Sequence, residues 1–369
     1  MTPALAAIAR EAGALGFVLV GAAPLAASSR ADYIRAWLAH GRAGEMTWLA
    51  RTAEDRIDPT RRFAWARSVI VVAWPYPPAP PAPADWRENL TGRIAAYALG
   101  RDYHAVVRGR LGTLVQKLGR VLPGARFHRY VDTGPLLERE FAAAAGLGWI
   151  GKHTLLLQRD RGSWFTLGAL LTSATLDPTE PTADHCGTCS RCVTACPTDA
   201  LEAGYTMDPQ RCISYLTIEH RSALPMALRP AIDNWVFGCD ICQEVCPWND
   251  DAPSLAPPQA DWWFPSLPEL LTLDDAGFRA RFRGTAVLRA TRRGLSRNAA
   301  VALGNSGNPA AIPALIAALD DAEPLIRSHS AWALGQFDSP VAQAALERQR
   351  QREADPTVHA EIDRALATR

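Results

Sequence analysis

Apolar positions follow different rhythms in different parts of the chain. In the first half they come as short solid blocks. "SVIVVAW" (68–74) is a β-branched run without a polar break, the mark of a strand buried on both faces. "SWFTLGALLTSATL" (163–176) predicts either one long strand or a pair, and a shorter block over 17–20 predicts another strand after a helix over 2–12. "YHAVVRGRLGTLVQKLGRVL" (103–122) has helical spacing and is stopped by Pro123 and Gly124. "PYPPAPPAPADW" (75–86) is too rich in proline for a helix or a central strand and predicts an exposed loop. Residues 1–180 therefore read as α/β.

The end of the chain repeats itself. "ALGNSGNPAAIPAL" (302–315) aligns with "ALGQFDSPVAQAAL" (333–346) at an offset of 31 residues, matching Leu303 with Leu334 and Gly304 with Gly335. Short helical pairs at this period predict an all-α stack of HEAT-like repeats, an architecture that presents binding surfaces. A packed helical cap with no further purpose is the plainer alternative. A Pro- and Trp-rich connector (252–268) precedes the repeats. The expected domains are 1–180, 181–250, a connector over 251–278, and a basic segment with repeats over 279–369.

Composition narrows the picture. A chain of 369 residues exceeds one ordinary core, and 48% apolar with 21% charged residues describes a globular protein. Net charge near +1 gives no global argument for nucleic acid. "AGALGFVLVGAAPLAASS" (12–29) looks like a signal-peptide core, but Glu11 follows Arg10 at once and Gly and Pro interrupt the run. No run approaches the roughly 18–20 apolar residues of a membrane span, so no membrane partner is expected. All eight cysteines fall between 186 and 246, which suggests metal ligation in a reducing compartment, the cytoplasm.

Their spacing is specific. Cys186, Cys189, Cys192 and Cys196 before Pro197 form the bacterial ferredoxin run, whose fourth cysteine serves the other cluster. Cys239, Cys242 and Cys246 before Pro247 form a second, rearranged half, with Cys212 displaced upstream. Pseudo-twofold logic assigns Cys186, Cys189, Cys192 and Cys246 to one [4Fe–4S] cluster and Cys196, Cys212, Cys239 and Cys242 to another. Zinc is the competing reading, against which the Cys-Pro closures argue.

Two clusters make a relay, and a relay needs a terminus. Neither GxGxxG after a strand nor GxxxxGK[ST] occurs in residues 1–180, so nucleotide cofactors have no support. The informative stretch is "YVDTGPLLEREFAAAAGLGWIGKHTLLL" (130–157). Asp132 precedes a Thr-Gly-Pro turn, and "GLGWIGKHT" (146–154) has glycines spaced to let backbone approach a large ligand. By default Asp132 is a helix cap, and Lys152 and His153 are surface residues.

That segment, with "RCISYLTIEHR" (211–221), "NWVFGCDICQEVCPWN" (234–249) and "FRGTAVLRATRRGLSRNAAVALGNSG" (282–307), closely resembles the epoxyqueuosine reductase family, in the same order over nearly the whole chain. Asp233 stands where the family has glycine. Reductive dehalogenases resemble it more distantly. The resemblance implies a cobalamin enzyme that reduces the epoxide of epoxyqueuosine, at the tRNA wobble position, to queuosine with loss of water. It implies a nitroreductase-like cobalamin domain over 1–180, a two-[4Fe–4S] ferredoxin-like module, an external low-potential electron donor and a monomer. Asp102, Tyr103 and His104 start a DxHxxG motif that Val107 breaks, so cobalamin is expected base-off without a histidine on cobalt. The family's catalytic aspartate maps to Asp132, a general acid whose pKa must rise well above about 3.9. Arg56, Tyr97, Lys152 and His153 are the expected cobalamin contacts, with Ser214 and Tyr215 lining the way from cluster to corrin.

Seven arginines between 279 and 297, with no acid among them, predict an anionic partner. Arg292, Arg293 and Arg297 are the candidates for a tRNA backbone. A dehalogenase-like enzyme of small molecules and a non-enzymatic electron-transfer subunit are the rival readings.

Overall fold

The computed structural model of the protein describes residues 2–78, 80, 83–202, 205–250 and 263–367. Two compact units are each assembled from separated stretches. The first comprises Met1–Pro78, Arg101–Gln210 and Asp240–Ala256; the second comprises Ala79–Gly100, Arg211–Cys239 and Pro257–Arg369.

A four-stranded antiparallel sheet organises the first unit, in the order Leu19–Pro24, Ser68–Pro75, Phe165–Thr172, Phe127–Tyr130. Ser68–Pro75 lies inside this sheet, which is why its apolar run is unbroken. Val69, Val71 and Ala73 face one core with Phe141 and Ala145, while Ile70 and Val72 face the other with Ile8 and Leu111. The block at 163–176 forms one strand, since its ladder runs unbroken from Phe165 opposite Pro75 to Thr172 opposite Ser68. The strand expected over 17–20 begins at Leu19 instead: Gly16 turns the chain at φ +88°, and Phe17 packs edge-on against Trp74. Helices Pro3–Gly13 and Tyr103–Val121 cover one face, and Glu138–Ala144 covers the other. A Cβ on Gly21 would lie 1.9 Å from the Ala145 carbonyl oxygen, so only glycine lets the chain end of that helix rest on the strand.

The same unit carries most of the cysteine segment. Two short helices, Arg191–Ala195 and Ile241–Glu244, pack together, and each runs into a Cys-Pro step. Ser163, just before the Phe165–Thr172 strand, donates from Oγ to Gln243 Oε1 at 2.9 Å and from its N–H to Asn249 Oδ1 at 2.7 Å. This network pins the "QEVCPWN" turn to the sheet.

The second unit is mostly helical. Thr291–Ser306, Pro324–Gly335 and Pro356–Ala367 pack successively, with Pro340–Arg352 alongside the last two. The repeat seen in the sequence is physical. A Cβ on Gly304 would lie 2.9 Å from Ala333 Cα, and one on Gly335 2.9 Å from Ala365 Cβ, so equivalent glycines admit equivalent alanines of the next helix. Arg93–Ile94 and Trp235–Phe237 form a short parallel pair. Of the expected connector, 251–262 lies outside the described residues, as do positions 79, 81 and 82 of the proline loop. Among the described residues no helix is long and apolar enough to cross a membrane.

Candidate functional site

Asp132 sits in the loop between the edge strand Phe127–Tyr130 and the helix Glu138–Ala144, in the left-handed region at φ +55°. Both Glu138 carboxylate oxygens accept its backbone N–H, at 2.9 and 3.1 Å, which holds this unusual conformation. Its side chain remains 63% exposed and meets His104 Nε2 at 3.1 Å. The other ring nitrogen, Nδ1, meets Asp102 Oδ1 at 2.7 Å. Asp102 also caps the Tyr103–Val121 helix by accepting the His104 N–H, so the helix start fixes the imidazole.

The charges in this group are coupled. Burial opposes ionisation of Asp132, but His104, Tyr103 and Arg56 outweigh it and hold the carboxyl below its usual range. Burial likewise works against a charged His104, and the two aspartates outweigh it, raising the ring's pKa. Glu138 is pushed up to about 8 by burial and then by the Asp132 charge. In this arrangement it is Glu138, not Asp132, whose pKa is raised among the two carboxyls; the raised value expected for Asp132 supposes burial beside a corrin. His104 was visible in the sequence only as part of a broken motif, and Glu138 gave no signal, because its partner is a backbone N–H.

The other expected contacts scatter. Arg56 joins Asp132: its Nε donates to Thr52 Oγ1 at 3.0 Å, its Nη1 to the Leu136 carbonyl at 3.4 Å, and its guanidinium lies over Trp48. Lys152, expected on a corrin, donates to the Gly187 and Cys189 carbonyls at 2.7 and 2.8 Å and so clamps the cysteine loop. His153 is buried, and burial lowers its pKa to about 4. The glycines before them serve packing: a Cβ on Gly146 would lie 2.3 Å from the Glu180 carbonyl oxygen, and one on Gly148 1.9 Å from that of Leu157. Tyr97, in the second unit, lies against Phe237 with ring centroids 6.2 Å apart. Ser214 and the buried Tyr215 occupy the helix Ile213–Ile218 there.

None of the eight cysteines is in a disulfide. Cys186, Cys189, Cys192 and Cys246 line one small cavity together with Lys152 and His153. Among the described residues no three His, Cys, Asp or Glu side chains converge on a single-ion site. Burial, then the three neighbouring thiols, push Cys246 up to about 11. A thiolate there would need compensating positive charge, such as a bound metal would supply. Cys196 accepts the Ala200 N–H at 3.3 Å, and Cys242 lies on the short helix Ile241–Glu244. In the second unit Cys212 precedes the helix Ile213–Ile218, and Cys239 follows Gly238.

The arginine run finds its acids elsewhere in the sequence. Glu269, Glu219, Asp321 and Glu323 pair with Arg281, Arg289, Arg292 and Arg293. Arg292 is bidentate to Asp321 at 2.8 and 2.9 Å and 13% exposed, whereas Arg293 is 43% exposed. Arg297 departs from its expected place on an RNA backbone: it is 0% exposed. Its guanidinium donates to the carbonyls of Leu216, His220 and Ser222 at 2.6–2.9 Å, finishing the Ile213–Ile218 helix. Arg279 and Arg283 are exposed and make no hydrogen bond or ion pair among the described residues.

Known proteins match the chain throughout. Residues 56–133 match the family described as epoxyqueuosine reductase QueG, DUF1730; 185–249 match a 4Fe–4S double cluster binding domain; 285–367 match HEAT repeats. An epoxyqueuosine reductase of Xanthomonas campestris pv. campestris is 39% identical over 337 residues, covering 89% of this chain and 94% of that one. A crystal structure of epoxyqueuosine reductase with an epoxyqueuosine-modified tRNA-Tyr stem loop superposes with a TM-score of 0.89 at 29% identity, covering 98% and 97%. The Bacillus subtilis enzyme, with its catalytic aspartate loop swung out of the active site, gives 0.87 at 28% identity, covering 98% and 97%.

Proposed function

The chain belongs to the epoxyqueuosine reductase family, and from that premise we propose that it reduces the epoxide of epoxyqueuosine in tRNA to the alkene of queuosine. The observation that carries the mechanism is the Asp102–His104–Asp132 chain of hydrogen bonds ending on an exposed carboxylate. Removing an epoxide oxygen as water consumes two electrons and two protons. Cobalamin, when bound, supplies the electron pair that opens the C–O bond, fed singly by two [4Fe–4S] clusters.

The chain's residues govern the protons. Asp132 faces the departing oxygen and hands it a proton drawn from His104, whose charge Asp102 stabilises. Glu138 holds the Asp132 backbone in place and keeps a further proton nearby. Beside them Trp48 Nε1 is buried with no partner among the described residues, next to Arg56. These donors fit a large ligand with polar decorations, and Arg56 and Trp48 would hold cobalamin there. Tyr97, Ser214 and Tyr215 stay assigned to the cofactor on family resemblance, and Cys196, Cys212, Cys239 and Cys242 to the second cluster on spacing. An external low-potential donor and a reducing compartment such as the cytoplasm complete the requirement.

The RNA backbone falls to Arg279, Arg283 and Arg293: Arg293 stays 43% exposed although paired with Glu323, whereas Arg292 is 13% exposed in a bidentate pair with Asp321 and Arg297 is buried. Asp132→Ala tests the central claim. In reconstituted protein given reductant and epoxyqueuosine-bearing tRNA, it should abolish queuosine formation while leaving the cobalamin and iron–sulfur spectra intact. Near wild-type turnover would overturn the assignment of Asp132.

A further inference from the structure

Two buried N–H groups near the thiols of Cys186, Cys189, Cys192 and Cys246 have no hydrogen-bond partner among the described residues. His153 Nδ1 accepts the Leu155 N–H at 3.2 Å, so the proton of the neutral ring lies on Nε2. Nε2 is buried and has no partner among the described residues. Trp149 Nε1, which can only donate, is in the same state. Main chain covers the other edge of the imidazole: a Cβ on Gly151 would lie 3.1 Å from His153 Cε1. The ring lines the cavity shared by Cys186, Cys189, Cys192 and Cys246. Trp149 packs with Cys246 in an apolar cluster bordered by Cys186. Natural proteins rarely leave a buried donor unmet, and the cavity that His153 lines is walled by four cysteines, one of which, Cys246, also packs with Trp149.

We propose that His153 Nε2–H and Trp149 Nε1–H donate hydrogen bonds to sulfur of the [4Fe–4S] cluster held by Cys186, Cys189, Cys192 and Cys246, and so raise its reduction potential. Reduction adds negative charge to the cluster, and an N–H aimed at sulfur stabilises the reduced form more than the oxidised one. The inference rests on these four thiols holding a cluster. It reassigns His153 from corrin contact to positioning and tuning residue of the relay.

Trp149→Phe keeps an aromatic six-membered ring and removes the N–H together with the indole's five-membered ring; His153→Leu removes the other donor; His153→Gln puts a side-chain donor back. Each full-length variant is reconstituted with iron and sulfide, analysed for iron content, and titrated by potential with electron paramagnetic resonance, without cobalamin or tRNA. Trp149→Phe and His153→Leu should each lower the midpoint potential of one cluster and leave the other unmoved. The double variant should lower it further, and His153→Gln should recover part of the shift. Full iron content with wild-type potentials in both single variants overturns the proposal and leaves the cluster assignment standing. A wild-type protein that binds no [4Fe–4S] cluster overturns both.

Discussion

Asp132 is hydrogen-bonded to His104, and the direction of each shift dictates how turnover follows pH. Burial opposes charge on His104, but Asp132 and Asp102 raise its pKa above the ordinary histidine value, so the imidazolium persists further into the alkaline range. Single-turnover rates should hold below that raised pKa and fall as pH rises through it. His104→Gln should cut the rate by about 10²-fold or more and erase this alkaline limb; a limb that survives would show that the proton comes from elsewhere. Arg297 presents the opposite case, a charged residue whose work is structural. Arg297→Met would strand three carbonyls at about 1–3 kcal/mol each, so urea denaturation should show a loss of several kcal/mol.

Helix packing in the repeats depends on two glycines at equivalent positions. Gly335→Val would drive a branched side chain into Ala365 and should cost about 1–3 kcal/mol, visible as a lowered midpoint in thermal denaturation. An ion pair fastens the same layer: Arg327, donating through Nε and Nη2, holds Glu353 down to about 2 against burial. Because the folded pKa is depressed, this contribution is complete above the unfolded carboxylate value of about 4.3 and is lost as pH falls toward 2. Melting temperatures measured from pH 7 down to acid should decline over that window, and Glu353→Gln should flatten the decline.

RNA affinity is a property of the whole charge distribution. Replacing Arg279, Arg283 and Arg293 together by Glu should weaken binding of a modified stem loop and reduce the slope of log affinity against log salt. Unchanged binding would remove these residues from the interface. What could be read in advance was whatever depends on near neighbours in sequence. The spacing of Cys186, Cys189 and Cys192, the solid block 68–74 and the recurring Leu-Gly pairs are local signals, and each names its own element. Residues whose partners lie far along the chain could not be read. Arg297 finds its acceptors 75–81 positions upstream and therefore looked like one more surface cation. Glu138 and the orphaned Trp149 donor were silent, and His153 was read as a corrin contact, because backbone geometry and burial define all three. Arg297 and its neighbour also bear on modularity. Asn298 donates to the carbonyls of Thr217 and Val236 at 2.9 and 2.8 Å, so the segments that present Cys212 and Cys239 lean on the first repeat helix. The repeats act as a keystone: cutting them away would not yield a leaner electron carrier but one whose second set of thiols had lost its footing.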